Sequence, residues 1–277
     1  MLVGEYAVLD GARAVVAAVD RGVQCEVQPA EQLVITTPDG DDRYVRAALH
    51  DAPPAHYAFD HYRPLDLPSK PGLGGSAAAV VAARVAASAV KGTRIAPSTL
   101  AAEGTAIHRA VQGGGSGIDV VASAYGGVLE VHGDAVRTLP TIQPVIVWSG
   151  SSAHTGPRVR QFLAWQGRTA FVERSNANAR RFSEAPIACV AEARALLDRA
   201  TREAGIDWWT PSLRAICDLA PLFGGAAKPS GAGGGDIAVA VLPDPDATKA
   251  YIQACDTAGH TVIPVRIAAG ARRVNHV

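Results

Sequence analysis

Net charge is missing from this chain: Lys and Arg total 26, and Asp and Glu total 26. Such a balance excludes a global basic field for nucleic acid or an anionic membrane, so a charged ligand must be met by a local cluster. Cysteine is sparse. Cys25, Cys189, Cys217 and Cys255 lie far apart and form no Cys-x-x-Cys pair. That spacing argues against a disulfide framework or a thiolate metal site, and for reduced, buried thiols. No apolar run approaches the roughly 20 residues that a membrane-spanning helix needs. The opening Met1-Leu2-Val3-Gly4-Glu5 lacks the positive region of a signal peptide, so the cytoplasm is the expected compartment. Repeats, low-complexity blocks and an obvious linker are also absent. Neither common nucleotide fingerprint is complete. The Gly-x-x-x-x-Gly-Lys-Ser/Thr pattern does not occur at the glycine-rich stretch near residue 74, and only Gly72 and Gly74 fall on Gly-x-Gly-x-x-Gly.

What remains is an ordinary globular composition, 48% apolar and 19% charged, in a chain long enough for one large domain or two lobes. Its centre of interest is Lys70-Pro71-Gly72-Leu73-Gly74-Gly75-Ser76-Ala77-Ala78-Ala79. The alanines and valines that follow, up to Val90, predict an uninterrupted helix. The glycines before them predict a loop able to adopt positive φ and approach a ligand. A helix N-terminus built this way attracts an anion through its free N–H groups and its dipole. Lys70 adds a full charge, and the Ser76 hydroxyl can reach a phosphate or its metal. The plainer alternative is a glycine turn before a buried helix, with Ser76 as a cap only.

Residues 14–19, 23–27 and 33–37 read as short strands, and residues 51–69, with Pro53, Pro54, Pro64 and Pro68, as extended loop. Ser98 is placed to cap a helix through Val111, which a second glycine-rich loop, residues 112–119, then breaks. Strands are expected at 128–131, 144–148, 237–242 and 261–267, and helices at 180–204, 211–219 and 249–258. A third glycine-rich loop spans residues 228–236. The mixture indicates α+β in two lobes, 1–145 and 146–277. Leu2-Val3 reads as the tail of a strand.

Three ordered glycine-rich segments resemble the motifs of the GHMP small-molecule kinases. Gly4-Glu5-Tyr6-Ala7-Val8 is similar to the first motif and Gly72-Leu73-Gly74-Gly75-Ser76-Ala77-Ala78 to the second. Lys228-Pro229-Ser230-Gly231-Ala232-Gly233-Gly234-Gly235-Asp236 is similar to the third. The third motif, the segment Gly115 to Gly126 and the loop Ser149-Gly150-Ser151-Ser152-Ala153-His154-Thr155 look most like the phosphomevalonate kinase branch. So does His108, which stands where mevalonate kinases carry a metal-binding Glu. The resemblance implies an N-terminal lobe with a left-handed βαβ crossover and a ferredoxin-like C-terminal lobe. It implies ATP and Mg²⁺ as cofactors and (R)-5-phosphomevalonate as acceptor, in a monomer or homodimer. Mevalonate kinase, another kinase of the family and an inactive ligand-binding homologue stay open as alternatives.

By the same resemblance, Gly72, Leu73, Gly74, Gly75, Ser76 and Ala77, with Gly231, Gly233 and Gly234, hold the ATP phosphates, and Ser76 helps bind the metal. Asp119 orients the acceptor, takes its proton or positions a cation; the bland reading is a turn-stabilising Asp. Glu5, Tyr6, His108, Ser116, Gly117, Ser151, Ser152, Thr155 and Arg158 are the acceptor candidates, although Tyr6 reads equally as core, His108 as structural and Arg158 as surface charge. Family members usually carry a Lys shortly before Gly-Glu. Met1-Leu2-Val3 stands there here, so the expectation is either a start truncated relative to relatives or another cation, Lys70, in its place.

Overall fold

The computed structural model describes residues 1–153 and 155–274; His154 of the 149–155 segment lies outside the described residues. The fold is mixed α+β. In chain order it runs β1 (Ala14–Ala17), β2 (Gly22–Gln28), β3 (Val34–Thr36), α1 (Arg43–Ala48), β4 (His56–Tyr62), α2 (Gly75–Val90), α3 (Pro97–Gln112) and α4 (Ile118–Tyr125). There follow β5 (Val128–His132), β6 (Ala135–Leu139), β7 (Val145–Trp148), α5 (Thr155–Ala164), α6 (Arg168–Arg180), α7 (Pro186–Glu203) and α8 (Pro211–Leu219). The last elements are β8 (Ala226–Ser230), β9 (Ile237–Val241), α9 (Pro245–Thr257) and β10 (Thr261–Ile263).

These elements form two compact units interleaved in sequence, whereas the expected lobes, 1–145 and 146–277, are contiguous. The first unit comprises Met1–Ala17, Leu67–Gly72 and Val128–Arg266; the second comprises Ala18–Asp66, Leu73–Gly127 and the described residues from Ile267 on.

In the first unit β7 to β10 make an antiparallel sheet in the order β10-β7-β9-β8. That order and direction are the ferredoxin-like arrangement expected for the C-terminal part. All of β8 and β9 is buried, and Leu213, Ile216, Tyr251 and Cys255 from α8 and α9 pack on the sheet. Thr210 caps α8 by accepting from the Leu213 N–H, and Asp244 caps α9 by accepting from Asp246 and Ala247. A separate apolar cluster joins Tyr6, Phe162, Phe171, Leu197 and Trp208.

In the second unit α2 buries Ala77, Val80, Val81, Ala83, Ala86 and Ala87. Alanine is small enough to let α1, α3 and α4 and the sheet β2-β4-β3 come close on different sides. Ser98 does not cap α3; Ala96 is the N-cap and Pro97 opens the helix, which puts Ser98 inside the first turn. The loop expected over residues 51–69 contains β4, which pairs along its whole length with β2. Its prolines flank the strand, and Tyr57 and Phe59 alternate inward at period two. The apolar stretch after Gly117 is helix α4, so Asp119 stands in a helical first turn. Lys228, Pro229 and Ser230 are strand residues, not loop.

Candidate active site

Two helices of the second unit start at glycines in the left-handed region, Gly74 before α2 (φ 78°) and Gly117 before α4 (φ 76°). Among the described residues no side chain caps the α2 N-terminus, and the first helical bond runs from Ala78 N–H to the Gly74 carbonyl. The first-turn N–H groups are therefore left to a ligand or solvent at the positive end of a 16-residue helix. Ser76 lies in that turn. Its Oγ shares a hydrogen bond with His108 Nε2 at 3.0 Å. His108 is 3% exposed, and its ring stacks on Tyr44 of α1 with centroids 5.1 Å apart. Asp119 is adjacent: a β-carbon at Gly74 would lie 3.4 Å from Asp119 Cβ. Its Oδ1 accepts from the Val120 N–H at 3.1 Å.

Arg109, which carried no signal of its own in the sequence, braces the loop before α4. Its guanidinium donates to the carbonyls of Gly115 (2.9 Å) and Ser116 (2.8 Å). Ser116 Oγ accepts from the Ile118 N–H at 3.4 Å, and Gly117 is buried. Leu73 is half-buried and Gly75 exposed; Ala77 is buried in the helical core, which leaves its backbone as the part able to meet a phosphate. The second unit thus brings together Gly74, Gly75, Ser76, His108 and Asp119. Among the described residues no group of three or more His, Cys, Asp or Glu is arranged to hold a metal.

The first unit builds a second constellation around residues 231–236. The Tyr6 hydroxyl donates to the Ala232 carbonyl at 2.6 Å, and Tyr6 itself takes φ 60°. Burial pushes its phenol pKa up, which keeps the hydroxyl a donor. Gly233 presses on the Trp208 ring: a β-carbon there would come within 1.9 Å of Trp208 Cδ1. Gly234 meets the Arg158 guanidinium in the same way, also at 1.9 Å. Arg158 therefore packs over the turn rather than standing as a mere surface charge, and its Nε donates to the Asp207 carbonyl at 3.1 Å. Gly231 is half-buried at the start of the turn.

Asp236 closes it at φ 58°. The Asp236 N–H donates to the Ser151 carbonyl (2.7 Å), its carbonyl accepts from Ser149 N–H (2.8 Å), and its Oδ1 accepts from Ala153 N–H (2.9 Å). Gly72 fits against the same carboxyl group, with 2.5 Å between a β-carbon there and Asp236 Cγ. Ser152 Oγ donates to the Lys70 carbonyl at 2.9 Å. Ser151, Ser152, Thr155 and Lys70 are exposed. Glu5 departs from the acceptor-facing expectation: it is 2% exposed and ion-paired with the fully buried Lys228. The bare sequence could not bring Glu5 to Lys228, because the pair spans 223 positions.

Residues 47–127, which contain the Ser76, His108 and Asp119 constellation, match the family described as GHMP kinases N terminal domain. Residues 47–127 are a GHMP kinase N-terminal domain. A phosphomevalonate kinase from Streptomyces sp. (strain CL190) is 28% identical, with 95% of this chain and 93% of the relative covered. A mevalonate kinase from Thermococcus sibiricus is 38% identical over 91 residues, 32% of this chain and 27% of the relative. The GHMP kinase fold extends to the whole chain: the structure of Streptococcus pneumoniae phosphomevalonate kinase in complex with phosphomevalonate and AMPPNP superposes with TM-score 0.80 at 19% identity, covering 96% of this chain and 97% of the other.

Proposed function

We propose that this protein is a GHMP kinase that transfers the terminal phosphoryl group of ATP to (R)-5-phosphomevalonate, giving ADP and (R)-5-diphosphomevalonate. The observation that carries the reading is the uncapped α2 N-terminus, with Ser76 and Asp119 beside it. Full-length similarity to a phosphomevalonate kinase supports the choice of acceptor, as does His108 at the place of the mevalonate kinase Glu.

Phosphoryl transfer asks a protein for positioning and charge neutralisation more than for covalent chemistry. The N–H groups of the α2 first turn would hold ATP phosphate oxygens, and Gly231, Gly233 and Gly234 would let backbone approach phosphate closely. An acceptor phosphate oxygen bonds to the γ-phosphorus as the bond to the β–γ bridging oxygen breaks, and ADP leaves with that electron pair. The acceptor is already ionised near neutral pH, so Asp119 serves to orient it or a cation rather than as a strong base. Lys70 offsets phosphate charge, and Ser151, Ser152, Thr155 and Arg158 supply hydroxyl and cationic partners for an acceptor carrying phosphate and carboxylate. Mg²⁺ fits Ser76 and Asp119 as a nucleotide-borne ion, since magnesium is commonly held by one or two protein oxygens plus phosphates and water. When bound it would neutralise phosphate charge.

ADP release measured with mevalonate and phosphomevalonate side by side tests the reading. Turnover with phosphomevalonate and little with mevalonate is expected. The reverse preference would make the protein a mevalonate kinase, the reading that the 38% identical stretch supports. ATP binding without turnover on either would mark an inactive homologue.

A further inference from the structure

Every residue of β8 is buried, and the one in its middle is a lysine at 0% exposure. Lys228 Nζ donates to Glu5 Oε1 and, at 3.2 Å, to the Pro229 carbonyl. The other carboxylate oxygen, Glu5 Oε2, is buried with no hydrogen-bond partner among the described residues. A buried ion pair of this kind is a poor source of stability, because apolar side chains of similar volume often do as well or better. Its value must lie in where it holds the chain.

Beyond Lys228 the strand continues through Ser230, whose hydroxyl donates to the Met1 carbonyl at 3.0 Å, into the glycine-rich turn. Beyond Glu5 comes Tyr6, whose hydroxyl donates to Ala232 inside that turn. The segments 1–6 and 228–232 are thus joined through three residue pairs, with Met1 and Ser230 sharing two hydrogen bonds. The tie between Glu5 and Lys228 is the ion pair, and the turn after it packs on Trp208 and Arg158.

We propose that Lys228 and Glu5 are positioning residues whose ion pair fixes the backbone of residues 231–235 without either side chain touching substrate. The proposed effect on turnover rests on the phosphate-binding reading of that turn; the effect on the turn itself does not.

The Glu5→Met, Lys228→Met double variant tests it, since it removes both charges and keeps the volume. Its urea midpoint is expected to equal or exceed that of the parent. Amide hydrogen exchange at Gly234, which donates to the Trp208 carbonyl, and at its neighbours is expected to quicken about tenfold or more while β9 stays protected. The kcat for ATP-dependent turnover should fall about 100-fold, with KM changing less, the pattern of a misplaced backbone. Unchanged exchange in the turn overturns the proposal. Should the double variant fail to fold, Glu5→Gln keeps an acceptor of the same shape, and unchanged exchange in that protein overturns it equally. Faster exchange together with no turnover even in the parent would sink the phosphoryl-transfer reading and leave the positioning role standing.

Discussion

Ser76 and His108 are 32 positions apart, yet they share a single hydrogen bond at a helix N-terminus. Its first consequence is kinetic. Replacing Ser76 by Ala removes the hydroxyl proposed to meet the nucleotide and its metal. Turnover should drop about 100-fold, the scale seen when one preorganised polar contact to a reacting phosphate or oxyanion is lost. His108→Phe keeps a flat ring on Tyr44 and loses only the bond to Ser76, so a fall of about tenfold is expected, the worth of about one net hydrogen bond. Steady-state kinetics on both variants checks this; equal losses would place His108 in contact with substrate itself. At this scale the sequence was legible where chemistry is written in a short motif. Gly74 and Ser76 open the helix that the run from glycine into alanine predicts. It was mute where partners come from remote segments. Lys228 looked like the start of a loop and is a buried strand residue, and Asp236 clamps the 149–153 loop through contacts that no local pattern announces.

Elements were readable when their period was strong. The Ala-rich run gave α2, and the apolar stripe at 189–200 gave α7. Strand β4 was hidden by the prolines around it, and α6 by a sequence with few apolar residues, since only Phe171 and Ala179 supply buried apolar contacts from its 13 residues. Elements completed by a distant segment are the ones a single substitution should break. Gly126 bridges Ala269, and at φ 73°, ψ 178° it occupies backbone space that only glycine enters without strain. A β-carbon there would lie 2.0 Å from Gly270 N. Gly126→Ala should therefore cost at least about 2 kcal/mol in urea unfolding, by strain and by expulsion of the 267–271 segment. Gly133→Ala is the control. Its φ is 58° with nothing within 4 Å of the added carbon, so the cost should stay near about 1 kcal/mol.

For the whole molecule, titration of buried groups sets an alkaline limit. Burial pushes Cys217 from the ordinary 9.0 up to about 12 and does the same to Cys25; Cys189 and Cys255 are raised as well, also by burial. A thiol whose folded pKa is raised contributes its full share of stability below the unfolded value. That share is lost as pH climbs towards the folded value, because the unfolded chain ionises first. Stability should accordingly be level below about pH 8 and decline from about pH 9 upwards. Urea midpoints across that range give the curve. Iodoacetamide at pH 8 should leave the native thiols unlabelled and modify all of them in denaturant, since only the thiolate reacts. Extensive native labelling would contradict the burial. The fold class was visible from the alternation of strands and helices, and the interleaving of two units was not, because hydrophobic pattern reports local period and says nothing of which segments return to one another.

That return has a temporal side. Val19 and Gly126 gain their bridges, and Ala18 and Gly127 one further backbone bond each, from Ile267, Ala268 and Ala269, after the whole span 128–266 has been made. On the ribosome this edge must wait, partly paired, while the intervening polypeptide emerges. A chaperone that shields exposed strand edges would find its client there, and a stalled or truncated nascent chain would be most prone to aggregate in that interval.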